Sequence, residues 1–249
     1  MAARRIRPGR RAPRRQRRSR LLHGIVLLLL LAGAAALVWL WHAGQSWRPR
    51  DSDYPDQGAY LTDAAGAVRM ATLRAIGARF VYVRASIGAE RRDEAFARNF
   101  AAARRIGMPV GVVHEFDPCA TADAQSANFV VMVPRDAQLL PAAIALDRLA
   151  DDCPRRISEA TIESELITLV NQIEIHTGLP VLLKAGRAFE ERYGIAAGFE
   201  RNLWLSQNWL EPDYGQRPWL MWTANDALRT EAAEQPIAWV VVRPGGERE

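Results

Sequence analysis

Eighteen consecutive residues, Gly24 to Trp41, carry no charge, and with Leu21, Leu22 and His23 they make about 30 Å of helix at about 1.5 Å per residue. A run of that length is long enough to span a bilayer. Residues 1–20 hold ten Arg and no acid, and no basic residue falls between His42 and Trp47. The asymmetry predicts a cytoplasmic N-terminus, with Trp39, Trp41 and Trp47 near the far interface and the C-terminal body outside the cytoplasm. A cleaved signal peptide is the alternative, because Ala34 to Ala36 imitates a small-residue cleavage site. The apolar run continues past that site and is rich in Trp, which favours an uncleaved anchor. The formal charge of +5 belongs to the tail: beyond residue 20 there are 23 basic against 28 acidic side chains. An acidic body argues against nucleic acid as a partner, and the Arg run reads as an orientation signal.

Cys119 and Cys153 are the only cysteines. No CxxC and no suitably placed His accompanies them, so no metal site is expected. One disulfide is the economical reading, and two buried thiols the alternative. In an oxidising compartment such a loop closure contributes about 3–4 kcal/mol. Neither GxGxxG nor GxxxxGK[ST] occurs at a strand-to-helix turn, so no nucleotide or other cofactor is expected.

The expected division is an Arg-rich tail (1–20), a transmembrane anchor (21–42), a polar Pro-bearing linker (43–53), one domain (54–243) and a polar end (244–249). Within the domain, Arg79–Ala85 reads as a strand, Asp93–Ile106 as a helix stopped by Gly107, and Pro109–His114 as a strand. Thr121 caps a helix through Met132, and Ala142–Leu146 is a strand. Ser158 caps a helix running to Gly178, and Pro180–Lys184, Leu203–Leu205, Pro218–Trp222 and Ile237–Val242 are further strands. This alternation predicts an α/β barrel or an open parallel sheet. Chemistry in such folds gathers at the C-terminal strand ends, here His114, Asp147, Ser206 to Asn208 and Trp222 to Asn225.

The order of segments resembles glycoside hydrolase family 25, the lysozymes of bacteria and phages. YPDQGAYLTDAAGAVRM followed by IGARFVYVRASIG is similar to the family's opening, and GVVHEF to its GAYHFF strand. AQSANFVVMVP resembles its AQAxNFxxxVP helix and LPAAIALD its LPPxxDxE strand, with GLPVLLKAGRAF, NLWLSQNW, RPWLMWTAND and QPIAWVVV following in family order. The resemblance covers Tyr54 to Val242. It implies an irregular (β/α) barrel and cleavage of the β-1,4 bond after N-acetylmuramic acid in peptidoglycan.

Residue by residue, the resemblance puts the family's first-strand Asp on Tyr60, its Asp-x-Glu pair on Ala145 and Asp147, and its last-strand Asp on Ala238. A register shift of two would make Asp147 the Asp and Leu149 the lost Glu. Asp147 is thus the candidate acid/base, while Tyr60, Ala145 and Ala238 are degenerate positions. His114, Trp204 and Trp222 are the candidate sugar-binding residues; a family Tyr is replaced by Leu183, and the WQY-like strand end reads Trp222, Thr223, Ala224. Trp204 and Trp222 suit a barrel core equally well. Glu115 and Asp117 are additional acids at the His114 strand end, but alternation sends Glu115 to the side opposite His114. Glycoside hydrolysis needs a carboxylic acid and a second positioned group. Two readings follow: a weakened periplasmic muramidase tethered to the bacterial inner membrane, or a scaffold that holds glycan strands or an envelope protein. Three non-ionising replacements favour the second.

Overall fold

The computed structural model describes residues 14–135 and 138–245, with side chains from residue 23 onward. The Arg-rich tail up to residue 13 and the C-terminal end from residue 246 lie outside the described residues. Two compact units result, Met1–Gly44 and Gln45–Glu249. In the first, helix α1 (Arg14–Ser46) contains His23–Ser46, which is long and apolar enough to cross a membrane. Its Leu, Ile, Val and Trp side chains from Ile25 to Trp41 are exposed.

The second unit is a closed barrel. Strands β1 (Gln57–Leu61), β2 (Phe80–Ile87), β4 (Val110–Glu115), β5 (Ala143–Leu146), β6 (Leu182–Ala185), β7 (Leu203–Ser206) and β8 (Met221–Leu228) are joined in parallel neighbour pairs. Strand β9 (Ile237–Val242) closes the ring by pairing antiparallel with both β8 and β1. The two-residue β3 (Arg91–Arg92) hangs on β2. The expected barrel is therefore present, with eight strands in the ring.

Helices α2 (Met70–Ala75), α3 (Phe96–Arg105), α4 (Ala122–Met132), α5 (Glu159–Thr177), α6 (Arg187–Tyr193) and α7 (Ile195–Gly198) punctuate the strands. Thr121 caps α4 by accepting from the Ala124 N–H, and Ser158 caps α5 by accepting from the Thr161 N–H, as their positions predict. Gly178, at φ 75°, ends α5 in the left-handed region. Helix α3 starts later than expected because the Asp93 carboxylate bonds the Ala95 N–H and fixes a turn there.

Period-2 alternation divides the apolar residues into two sets. Phe80, Tyr82, Val113, Ala143, Leu182, Trp204, Met221 and Val240 pack together inside the ring. Their strand neighbours, with Leu73, Phe96, Phe129, Leu166 and Phe189 from the helices, form the layer outside it. Gly111 belongs to the first set by position: a Cβ there would lie 2.2 Å from the Tyr82 ring, so only glycine lets that ring cross β4. Cys119 and Cys153 form the expected disulfide, which ties the loop after β4 to the loop after β5.

The linker expected over 43–53 is not a free tether, because from Trp47 onward it is bonded to the barrel. The Trp47 carbonyl accepts from Asn225 Nδ2 at 2.8 Å, and Arg48 donates to the Ile76 carbonyl and lies over Trp239. Gln57 Nε2 donates to the carbonyls of Pro49 and Tyr54 and to Asp51. Its polar composition suggested solvation, but Trp47 and Tyr54 give the segment two apolar anchors against Trp222.

Candidate functional site

The C-terminal mouth of the ring is where the inward-facing residues become charged. Arg84 on β2, Glu115 on β4 and Lys184 on β6 continue the inward parity of Tyr82, Val113 and Leu182, and Asp147 follows β5 with the parity of Ala143 and Ala145. Arg84 is the hub of this mouth. Its Nε bonds Asp93 at 2.9 Å, one terminal nitrogen bonds Glu115 at 2.8 Å and the other Asp63 at 2.5 Å. Asp93 also accepts from the Asp63 N–H, which fixes the loop after β1 to the hub. Burial alone would lower the guanidinium's pKa, and the Glu115 and Asp93 carboxylates outweigh it, holding the group above its already high ordinary value.

Asp147, the candidate acid, is accessible, with its side chain 54% exposed, and its Oδ2 takes a 3.1 Å bond from Lys184 Nζ. The carboxylate rests against Gly186, where a Cβ would stand 2.5 Å from Oδ1; a side chain there would displace the acid. Lys184 Nζ also lies 5.6 Å from the Tyr60 ring centroid.

Tyr60, on the first strand, pairs in register with Ala238 on β9 and with Tyr82 on β2. Its ring meets Trp204 edge-on at 5.6 Å, and its hydroxyl is buried with no hydrogen-bond partner among the described residues. Burial, with Glu115 adding repulsion, holds that phenol far above its usual range. It remains a neutral hydroxyl. Ala145, beside Glu115 in the ladder, and Ala238 present only methyl groups.

Around Asp147 opens a cleft of about 440 Å³. Glu115, Asp117 and Asp147 supply carboxylates to it, and Arg91 and Arg148 supply guanidinium groups. Its apolar lining is Ile87, Phe116 and Ala145. Asp117 is held by Arg148 at 2.7 Å and by the Cys119 N–H. Asp117 also lies close to the sulfurs of Cys119 and Cys153, but sulfurs joined in a disulfide are not thiolate ligands, and the trio is no metal site.

The three expected sugar-contacting residues lie elsewhere. His114 is fully buried and faces away from the ring interior, its edge on Phe129 of α4. Its Nδ1 accepts from Ser86 at 2.8 Å and its Nε2 donates to Gln125 at 3.3 Å, a tautomer assigned from Gln125 Oε1, an acceptor that also takes the Asp117 N–H. Trp204 is fully buried inside the barrel and donates to Thr223. Trp222 lies near the start of β8, which runs on to Leu228, and it faces Trp47, Tyr54 and Trp219 rather than the mouth. None of the three offers a surface to a sugar, which corrects that expectation: at both faces of a barrel strand there is packed protein. Leu183 likewise points into the outer layer, and the mouth position on that strand is Lys184. Because His114 faces outward, alternation turns Glu115 inward, the reverse of the expected orientation. The signal for Arg84, Glu115 and Lys184 was present in the sequence as single charges interrupting apolar strands.

The profile of Glycosyl hydrolases family 25 matches residues 62–230. The chain belongs to that family. Tyr60 and Ala238 fall just outside the matched span, on the first and last strands. A family 25 glycosyl hydrolase from Bacillus anthracis superposes with a TM-score of 0.71 at 22% identity, over 78% of this chain and 91% of its own. A lysozyme from Streptomyces coelicolor gives 0.67 at 18% identity, over 75% and 91%. The protein YegX of Escherichia coli K12 is 23% identical over 173 residues, which is 68% of this chain and 61% of YegX, so the chain spans about three-fifths of that relative.

Burial holds the neutral imidazole of His114, pushing its pKa from 6.5 down to about 4 against the small opposing effect of the Gln125 bond. The folded value lies below the unfolded one, so the unfolded chain binds the extra proton between those limits. Stability from this group is complete above about pH 6.5 and declines as the pH falls towards 4, by about 3 kcal/mol in all. Unfolding free energies measured from pH 7 to 4.5 are expected to fall more steeply for the wild type than for His114→Gln. Parallel curves would refute the buried neutral ring.

Proposed function

We propose that this is a lysozyme-fold protein of the bacterial envelope, fixed in the inner membrane by its N-terminal helix, that holds peptidoglycan at the barrel mouth without hydrolysing it. The observation that carries the reading is the state of the four carboxylate positions. Tyr60, Ala145 and Ala238 have no charge to offer, and the remaining Asp147 faces the ammonium of Lys184. Glycoside hydrolysis needs a proton donor to the leaving oxygen and a second group to support the cation-like centre. Loss of the positioned acid alone removes about a hundred- to ten-thousand-fold in rate. The ten Arg before the apolar helix support a cytoplasmic N-terminus and a periplasmic barrel, and the disulfide suits that compartment.

A second reading has its own observation: Glu115 and Asp147 line one cleft, so two carboxylates do face common solvent. In that reading the chain is a muramidase with Asp147 as acid/base and Glu115 as its partner. The two separate in one assay. Full-length protein in detergent, incubated with peptidoglycan, is expected to release no reducing ends above the level of Asp147→Ala. Release by the wild type that disappears in both Asp147→Ala and Glu115→Gln would replace the holding role with catalysis.

A further inference from the structure

The cleft beside Asp147 is poorly made for stacking sugar rings. The one aromatic residue that lines it, Phe116, is 2% exposed and turned against Phe189. Tyr82 and Trp204 are buried in the ring and Trp222 is covered by Trp47 and Tyr54. What the cleft does offer is charge of both signs with unused bonding capacity. The Arg91 guanidinium is exposed and has no ion-pair partner among the described residues. Among the described residues, Asp147 accepts from Lys184 through Oδ2 alone and Glu115 accepts from Arg84 through Oε1 alone. A volume of about 440 Å³ is that of a small-ligand site and accommodates a short segment of chain.

We propose that this cleft recognises the short peptide borne by the muramic acid of peptidoglycan, a ligand with carboxylates and amines close together, rather than the sugar rings. Arg91 takes a peptide carboxylate, and Asp147 and Glu115 take an ammonium or amide N–H. This rests on the reading of the chain as a peptidoglycan holder and adds which part of the polymer is read. Ionised hydrogen bonds in a partly enclosed cleft are the strong and directional kind, so they discriminate between peptide-bearing and bare glycan.

The test is a titration of the full-length protein in detergent with two probes: the muramic-acid disaccharide carrying its peptide, and the same disaccharide after the peptide is removed. Binding is expected to be about tenfold tighter for the first. Arg91→Ala is expected to cut that preference by about threefold or more while leaving the melting midpoint unchanged, since the side chain is exposed and unpaired. Equal affinities for the two probes, or a preference that Arg91→Ala does not alter, would overturn the inference and leave the holding role standing. Failure to bind either probe or intact sacculi would overturn both.

Discussion

Arg84→Ala is expected to lower the melting midpoint of the barrel by roughly 10 °C, the result of losing about 3–5 kcal/mol in a domain of about 200 residues. The size of the effect comes from what is left behind. Asp93 is entirely buried at its side chain, Glu115 is 29% exposed, and both depend on the Arg84 guanidinium, itself only 13% exposed. Truncation strands a buried carboxylate next to two others. Arg84→Lys keeps one charge but loses the planar fork that serves three acids at once, so it should fall between wild type and alanine. Asp93→Asn in the Arg84→Ala background should recover part of the loss, because it removes the stranded charge. Thermal melts of the four proteins decide it. A midpoint for Arg84→Ala within about 2 °C of wild type would mean that solvent already screens the cluster.

A chain that begins at Tyr54 should be less stable than one that begins at Gln45, by on the order of 5 kcal/mol. The shorter chain lacks Trp47, which covers Trp222, and Arg48, which bonds the Ile76 carbonyl and lies over Trp239. It also leaves Asn225 without the Trp47 carbonyl and Gln57 without Pro49 and Asp51. An aromatic contact of this size is worth about 3 kcal/mol when partly buried, and the lost bonds add about 1 kcal/mol each. Urea unfolding of the two purified chains measures the difference directly. Equal midpoints would show the segment to be a mere spacer, as its Pro, Asp and Ser content suggested.

The barrel was legible because alternation of strands and helices, and the caps at Thr121 and Ser158, depend on local sequence. The disulfide was legible because two cysteines permit one pairing. The facing of individual residues was not. A strand such as β4 is apolar on both sides, since one side packs inside the ring and the other under α4, so PVGVVHE does not say which parity looks inward. His114 was therefore placed on the wrong side and Glu115 with it. The ionisable residues carry the missing information: Arg84, Glu115 and Lys184 survive in apolar strands because the mouth supplies them with partners and water. Trp222 misled in the same way: it lies level with Leu205 near the end of β7, but its side chain packs in the layer outside the ring.

The position of β9 between β8 and β1 has a consequence for how the molecule is made. The segment that completes the ring is the last of the barrel to leave the ribosome, so until residue 242 emerges the growing chain has two open ladder edges, one near its start and one near its end. Unpaired edges are templates for joining other chains. Until β9 is in place the free sides of β1 and β8 can each accept a foreign strand, and its docking removes both openings at once.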